Sequence, residues 1–151
     1  MNLTALDFLR DAASLPAPHI RRIRFALLEW LLTDPKFGAM SMTEDVEILE
    51  AITAAAELCR WGADDLDTRV QVFSRASTAE ALWKRWTALG SSDGWPKEAI
   101  RNCAAARAAY YACYGSADTW LWVATAENLE EFAPASADKM AELMKQENQR
   151  A

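Results

Sequence analysis

The chain has 151 residues, just over half of them apolar and a quarter charged, with a net charge of −6. That length fits one domain able to bury a real core, and the composition excludes disorder. The acidic balance argues against an extended nucleic-acid surface, which needs clustered Lys and Arg.

Helices follow one another along the whole chain, and no convincing strand appears. A first helix is predicted over about Thr4 to Ala13. Pro16 and Pro18 break it, and Pro18 suits the first position of a second helix, about Pro18 to Leu32. At 100° per residue Ile20, Ile23, Leu27, Trp30 and Leu31 make one wide apolar face, so this helix should be central. Arg21, Arg22 and Arg24 crowd its first turns, where positive charge opposes the dipole. Pairing with acids from later helices is one reading of them, and contact with a small anion or nucleic acid is the other.

"DPKFGAMSM" reads as a loop. Ser41 and Glu44 have capping-box spacing, which opens a helix from about Met42 to Trp61, closed by Gly62. It buries Ile48, Leu49, Ile52, Ala55, Ala56 and Cys59, with Glu50 and Glu57 opposite. A short helix is expected from about Asp64 to Arg75. A second capping box, Ser77 and Glu80, starts another, which puts Leu82, Trp83, Trp86 and Leu89 on one face and stops at Gly90.

After "GSSDGW", Pro96 opens a helix to about Tyr114, with Gly115 as its C′ residue and Ser116 as the next N-cap. One face is small: Ala105, Ala108, Ala109 and Ala112. The other carries Ile100, Cys103, Tyr110, Tyr111 and Tyr114. A helix covered on both sides belongs in the middle of a bundle. Arg107 projects into the bulky face, where a guanidinium needs a carboxylate, carbonyls or aromatic faces around it. A structural ion pair, a stem that reaches solvent between the rings, or an anion, partner or ligand site with Tyr110 and Tyr111 each satisfies that need.

The following helix is predicted to run from Ser116 to about Phe132. Leu121, Thr125, Leu129 and Phe132 form its inward stripe, and Trp120 falls on the outer side with Glu127, Glu131 and the adjacent Glu130. An exposed Trp among carboxylates is a candidate partner-binding surface. Glu50, Glu57 and Trp61 make a second such patch. Pro134 should break the helix, Ser136 should cap a last one, and "QENQR" should fray. The expected fold is all-α, a compact single-domain bundle of about seven to eight helices over residues 1–151.

Catalytic chemistry finds little support. There is no Gly-rich phosphate loop. The only histidine, His19, stands at a helix start. Asp64/Asp65 and Glu130/Glu131 are adjacent pairs that diverge instead of converging. Cys59, Cys103 and Cys113 form no CxxC pair, which argues against a zinc site. Cys103 and Cys113 lie ten residues apart on one helix, about 15 Å along its axis, too far to bond. No catalytic residue, cofactor or metal is expected. The N-terminus lacks the pattern of a signal peptide and no run approaches a membrane span, so a cytoplasmic location with reduced thiols is the simple expectation.

The stretch "IRNCAAARAAYYACYGSADTWLWVATAENLEE" resembles the alanine-rich helices of small acidic phage and mobile-element accessory proteins, among them immunity proteins and anti-CRISPR inhibitors. The likeness is one of composition and carries over no site residue. It implies a non-enzymatic binder that blocks another macromolecule. Acidic proteins steer towards basic partners, so the expected target is a basic or nucleic-acid-binding protein, without direct nucleic-acid or membrane binding. Two alternatives stay open: a regulatory or assembly protein acting as a homodimer, and a small-ligand binder or enzyme around Arg107 and the tyrosines.

Overall fold

A computed structural model describes residues 4–12, 18–89, 94, 96–124 and 129–150. The described elements are α1 (Thr4–Ala12), α2 (Pro18–Thr33), a 3-10 turn (Ala39–Met42), α3 (Val46–Ala63), α4 (Arg69–Leu89), α5 (Lys97–Cys113), α6 (Asp118–Val123) and α7 (Leu129–Arg150). No strand occurs among the described residues, and the all-α bundle is as expected. None of the described helices is long and apolar enough to cross a membrane.

The core forms where α2, α3 and α5 meet. Leu27, Leu28, Leu31 and Leu32 of α2 are sealed, as are Ile48, Ile52, Ala55 and Cys59 of α3. The small face of α5, with Ala105, Ala108, Ala109 and Ala112, is buried as the sequence suggests. Methyl side chains let α3 approach α5 closely, and the Cys59 thiol lies 3.8 Å from the Ala112 carbonyl. All three cysteines are free and buried. Burial raises the Cys59 thiol far above its ordinary pKa and pushes Cys113 up to about 12, so both behave as small apolar residues.

Several boundaries move, each for a local reason. The capping box at Ser41 does not form. The Ser41 hydroxyl instead bonds the Gly38 carbonyl at 2.6 Å within the 3-10 turn, and Asp45 caps α3 by accepting from the Ile48 N–H at 3.0 Å. Gly62 lies inside α3 and does not end it. Its missing side chain admits α2, since a Cβ there would stand 2.8 Å from the Phe25 ring. The helix closes instead with Asp65 in the left-handed region (φ 57°) and a Leu66 N–H to Trp61 carbonyl bond of 3.0 Å.

Residues 64–89 were expected as two helices but form one helix, α4, from Arg69. Ser77 is interior, and its hydroxyl bonds the Phe73 carbonyl at 2.8 Å. Gly115 is the C′ residue of α5 at φ 65°. The Ser116 N–H to Tyr111 and Gly115 N–H to Ala112 bonds make a Schellman closure. Ser116 then accepts from the Asp118 N–H at 3.1 Å. Pro134 does not break the last helix. It lies early in α7, where one backbone bond is lost, and Ser136 sits buried beyond it with its hydroxyl on the Ala133 carbonyl.

The arginines at the start of α2 pair within the fold. Arg22 grips both carboxylate oxygens of Glu147 at 2.8–3.0 Å and so ties α7 to α2. Hydrogen bonds from Arg22, reinforced by its charge, hold the Glu147 carboxyl below the usual glutamate range. Arg24 donates to the carbonyls of Leu9 and Gly115, and Arg21 reaches Asp65 at 3.9 Å.

Candidate functional site

The predicted surface around Trp120 does not exist as drawn. Its phase rested on one unbroken helix from residue 116 to 132, which would have aligned Leu121 with Phe132. In the fold α6 ends at Val123. The rotation of α6 is therefore set by its own packing, not by Phe132. Thr119, Trp120 and Val123 face inward, Trp120 is 2% exposed, and Leu121 is turned out at 59%. The Trp120 ring meets Phe132 at 4.8 Å, and Phe132 also stacks on Trp30 at 6.2 Å and tilts against Phe37 at 6.4 Å. Glu130 and Glu131 are exposed in the first turn of α7, where negative charge suits the dipole, but no outward indole accompanies them. Glu127 and Thr125 lie outside the described residues, as does the Leu129 side chain.

The second patch is drawn together, with a change of character. On α3 the sequence Glu47, Glu50, Ala54, Glu57 advances by helical steps of three and four, so these positions form one straight stripe. The stripe borders a groove against α4, a cavity of about 430 Å³ lined by Val46, Leu49, Glu50, Thr53, Ala54, Glu57 and Arg75. Arg75 closes one end. It donates to the Ala54 carbonyl at 2.8 Å, pairs with Glu57 at 2.7 Å, and lies 4.8 Å above the Trp61 ring. Trp61 is thus half-buried beneath a guanidinium instead of standing free. Glu47 pairs with Arg85 at 3.0 Å, both well exposed, while Glu50 has no ion pair among the described residues. Exposed pairs of this kind contribute about 0–1 kcal/mol and exchange readily.

Arg107, Tyr110 and Tyr111 also come together, with Tyr114 on the same face as expected, and the fold adds two indoles from other helices, Trp83 and Trp122. Arg107 is clamped between two indoles, its guanidinium carbon 4.2 Å from the centre of Trp122 on α6 and 5.1 Å from Trp83 on α4. Trp83 meets Tyr110 edge-on at 4.6 Å, Tyr110 meets Tyr111 at 5.1 Å, and Tyr110 meets Tyr114 at 5.3 Å. Burial, and then the neighbouring Tyr114 and Glu80, raise the Tyr110 phenol above its ordinary pKa. The expected ion pair is absent: among the described residues Arg107 has no carboxylate and no hydrogen-bond acceptor, and its Nε is sealed without a partner. Such an orphan donor costs about 1–3 kcal/mol, which two cation–π contacts of about 0.5–2 kcal/mol each can offset.

A third feature has no precursor in the sequence reading. A polar cavity of about 430 Å³ lies between the 3-10 turn and the start of α5, lined in part by Ser41, Thr43, Glu98, Arg101 and Asn102. Thr43 accepts from the Asp45 N–H, so its hydroxyl proton goes to Asn102 Oδ1. Arg101 donates to the Ser41 carbonyl at 2.9 Å. These residues are far apart in the chain and follow no motif, so only the packing of α5 on the turn reveals them. Among the described residues no three His, Cys, Asp or Glu side chains converge as a metal-binding group.

No protein-family model matches this chain, and no curated protein or solved structure is significantly similar to it.

Proposed function

We propose that this chain is a non-enzymatic protein-binding inhibitor, of the immunity or anti-CRISPR type, that lays its α3–α4 face against a basic segment of a target protein. The observation that carries this reading is the carboxylate stripe of Glu47, Glu50 and Glu57 beside an open, partly apolar groove. Val46 is 66% exposed at one end of it. Two of the three carboxylates are matched by guanidiniums, Glu57 by Arg75 and Glu47 by the exposed Arg85, and Glu50 is left without an ion pair among the described residues. The net charge of −6 steers a basic partner towards the molecule, and the groove supplies desolvated contact beneath the charges. A basic nucleic-acid-binding protein has the surface that such a stripe fits.

The decisive test uses a purified partner. A basic protein that co-purifies with the chain is isolated, and its affinity is measured for the native protein and for Glu50→Lys combined with Glu57→Lys. The expected result is at least about tenfold weaker binding with a slower association rate, and a strong salt dependence in the native complex. An unchanged affinity after both charge reversals sinks the reading.

A second reading, a homodimer, rests on a different surface. Val70 and Phe73 lie one helical turn apart on α4 and stand 80% and 74% exposed, and Leu66 in the preceding loop is 55% exposed. Sedimentation decides it: a strict monomer at high micromolar concentration rejects this reading.

A further inference from the structure

Arg107 is a cation with no counter-charge among the described residues of an acidic protein. Its Nε is its one nitrogen both sealed and unpartnered, so its terminal nitrogens, which find no acceptor among the described residues, keep contact with solvent beside Trp83 and Trp122. Two flat rings on either side restrict the guanidinium, so little side-chain freedom remains to be lost when a ligand binds. The surroundings are open enough to receive one: Tyr114, in edge contact with Tyr110, is 55% exposed, and Leu121 of α6 is similarly exposed. Arg, Trp and Tyr are also the residue types most enriched where binding energy concentrates at protein interfaces.

We propose that this platform receives a single carboxylate carried by an acidic peptide segment of a protein partner. The terminal nitrogens of Arg107 donate to the carboxylate, and the residues flanking it lie on the neighbouring rings. The charge count favours a carboxylate over a phosphate. Phosphate-reading surfaces gather several cations, whereas Lys84 on α4 is committed to Glu80 at 2.6 Å, and Glu80 itself lies close enough to influence Tyr110. One unpaired guanidinium, without a second uncommitted cation shown beside it, matches a mono-anion. The proposal does not rest on the α3–α4 reading: that face attracts a basic segment, and this one an acidic segment.

The test is an NMR titration of the intact nitrogen-15-labelled protein, read on the Arg107 Nε–H and the Trp indole N–H signals. The probes are the blocked tripeptide N-acetyl-Leu-Glu-Leu-amide, its Gln counterpart, and inorganic phosphate. The Glu peptide is expected to shift the Arg107 and Trp122 signals and to bind about tenfold more tightly than the Gln peptide. Arg107→Gln should abolish that preference. Tyr114→Ala, at an exposed rim position, should weaken the Glu peptide about threefold while leaving the Arg107 signal in its ring-shifted position. Equal binding of the two peptides overturns the proposal, as does a preference that survives in folded Arg107→Gln, or phosphate binding more tightly than the Glu peptide. Should Arg107→Gln fail to fold, Tyr114→Ala decides: undiminished Glu-peptide binding overturns the proposal equally.

Discussion

Among the described residues two aromatic clusters stand out, and α6 feeds both. Trp120 and Trp122 stand two residues apart, about 200° around a helix, so they face opposite ways. Trp120 enters a cluster with Phe132, beside Trp30 and Phe37, in which Trp120 and Phe132 are almost fully buried. Trp122 enters one with Trp83, Arg107 and three tyrosines, in which a charge is retained and the rim stays open. The first has the composition of a core, and its stabilisation comes from apolar area removed from water. The second has the composition of a binding surface, held by ring edges and a cation instead of full burial. Aromatic density in a sequence therefore does not distinguish the two. The partner residues do: Phe132 on one side, Arg107 on the other.

The largest effect that would test this contrast comes from truncating each indole. Trp120→Ala should lose about 3–5 kcal/mol of unfolding free energy in urea. Trp122→Ala should lose only about 1–2 kcal/mol, since that ring is half-exposed and gives up mainly a cation–π contact. Equal losses would erase the distinction between a sealed and an open cluster.

A smaller effect concerns how α7, which carries Phe132, is held on α2. Glu147 has a depressed pKa in the fold because Arg22 bonds its charged form. Its contribution is therefore fully present above the unfolded glutamate value of about 4.3 and disappears as the pH falls through the lower folded value. Glu147→Gln should be less stable than the native protein at pH 7, and the two unfolding curves should converge as the pH drops below about 4. A gap that persists into acid would mean that packing, not charge, fastens this end of α7. The smallest change is expected from Tyr114→Ser at the rim of the open cluster, within about 0.5 kcal/mol of the native stability. A larger loss, measured by the same denaturation, would show that this cluster is core after all.

Much of the architecture was legible along the chain. The leucine face of α2 and the alanine face of α5 follow from helical spacing, and the closure at Gly115 follows from its residue type. Arg107 was also visible as a misfit, because a guanidinium among tyrosines at helical spacing needs an explanation wherever the helix sits. The failures share one cause. Ser41, Ser77 and Pro134 each carry a local signal for a helix end, and in each case the neighbouring backbone found a better arrangement: the Asp45 cap, a continuous α4, and an α7 that tolerates one missing bond. The error at Trp120 was of a different order. Helical phase is cumulative, so a single stop at Val123 removed any relation between the inward direction of α6 and that of Phe132.

The sequence by itself determined that this chain is helical, which faces of α2 and α5 are apolar, and that one arginine among rings would stand out, because those properties depend on residues within a few turns of each other. Only the tertiary structure decided which tryptophan is sealed, that Arg107 meets no carboxylate among the described residues, and that Glu47, Glu50 and Glu57 border a groove closed by Arg75. Those outcomes depend on how separate helices rotate and dock, and the free energy that sets each rotation comes from side chains distant in the chain.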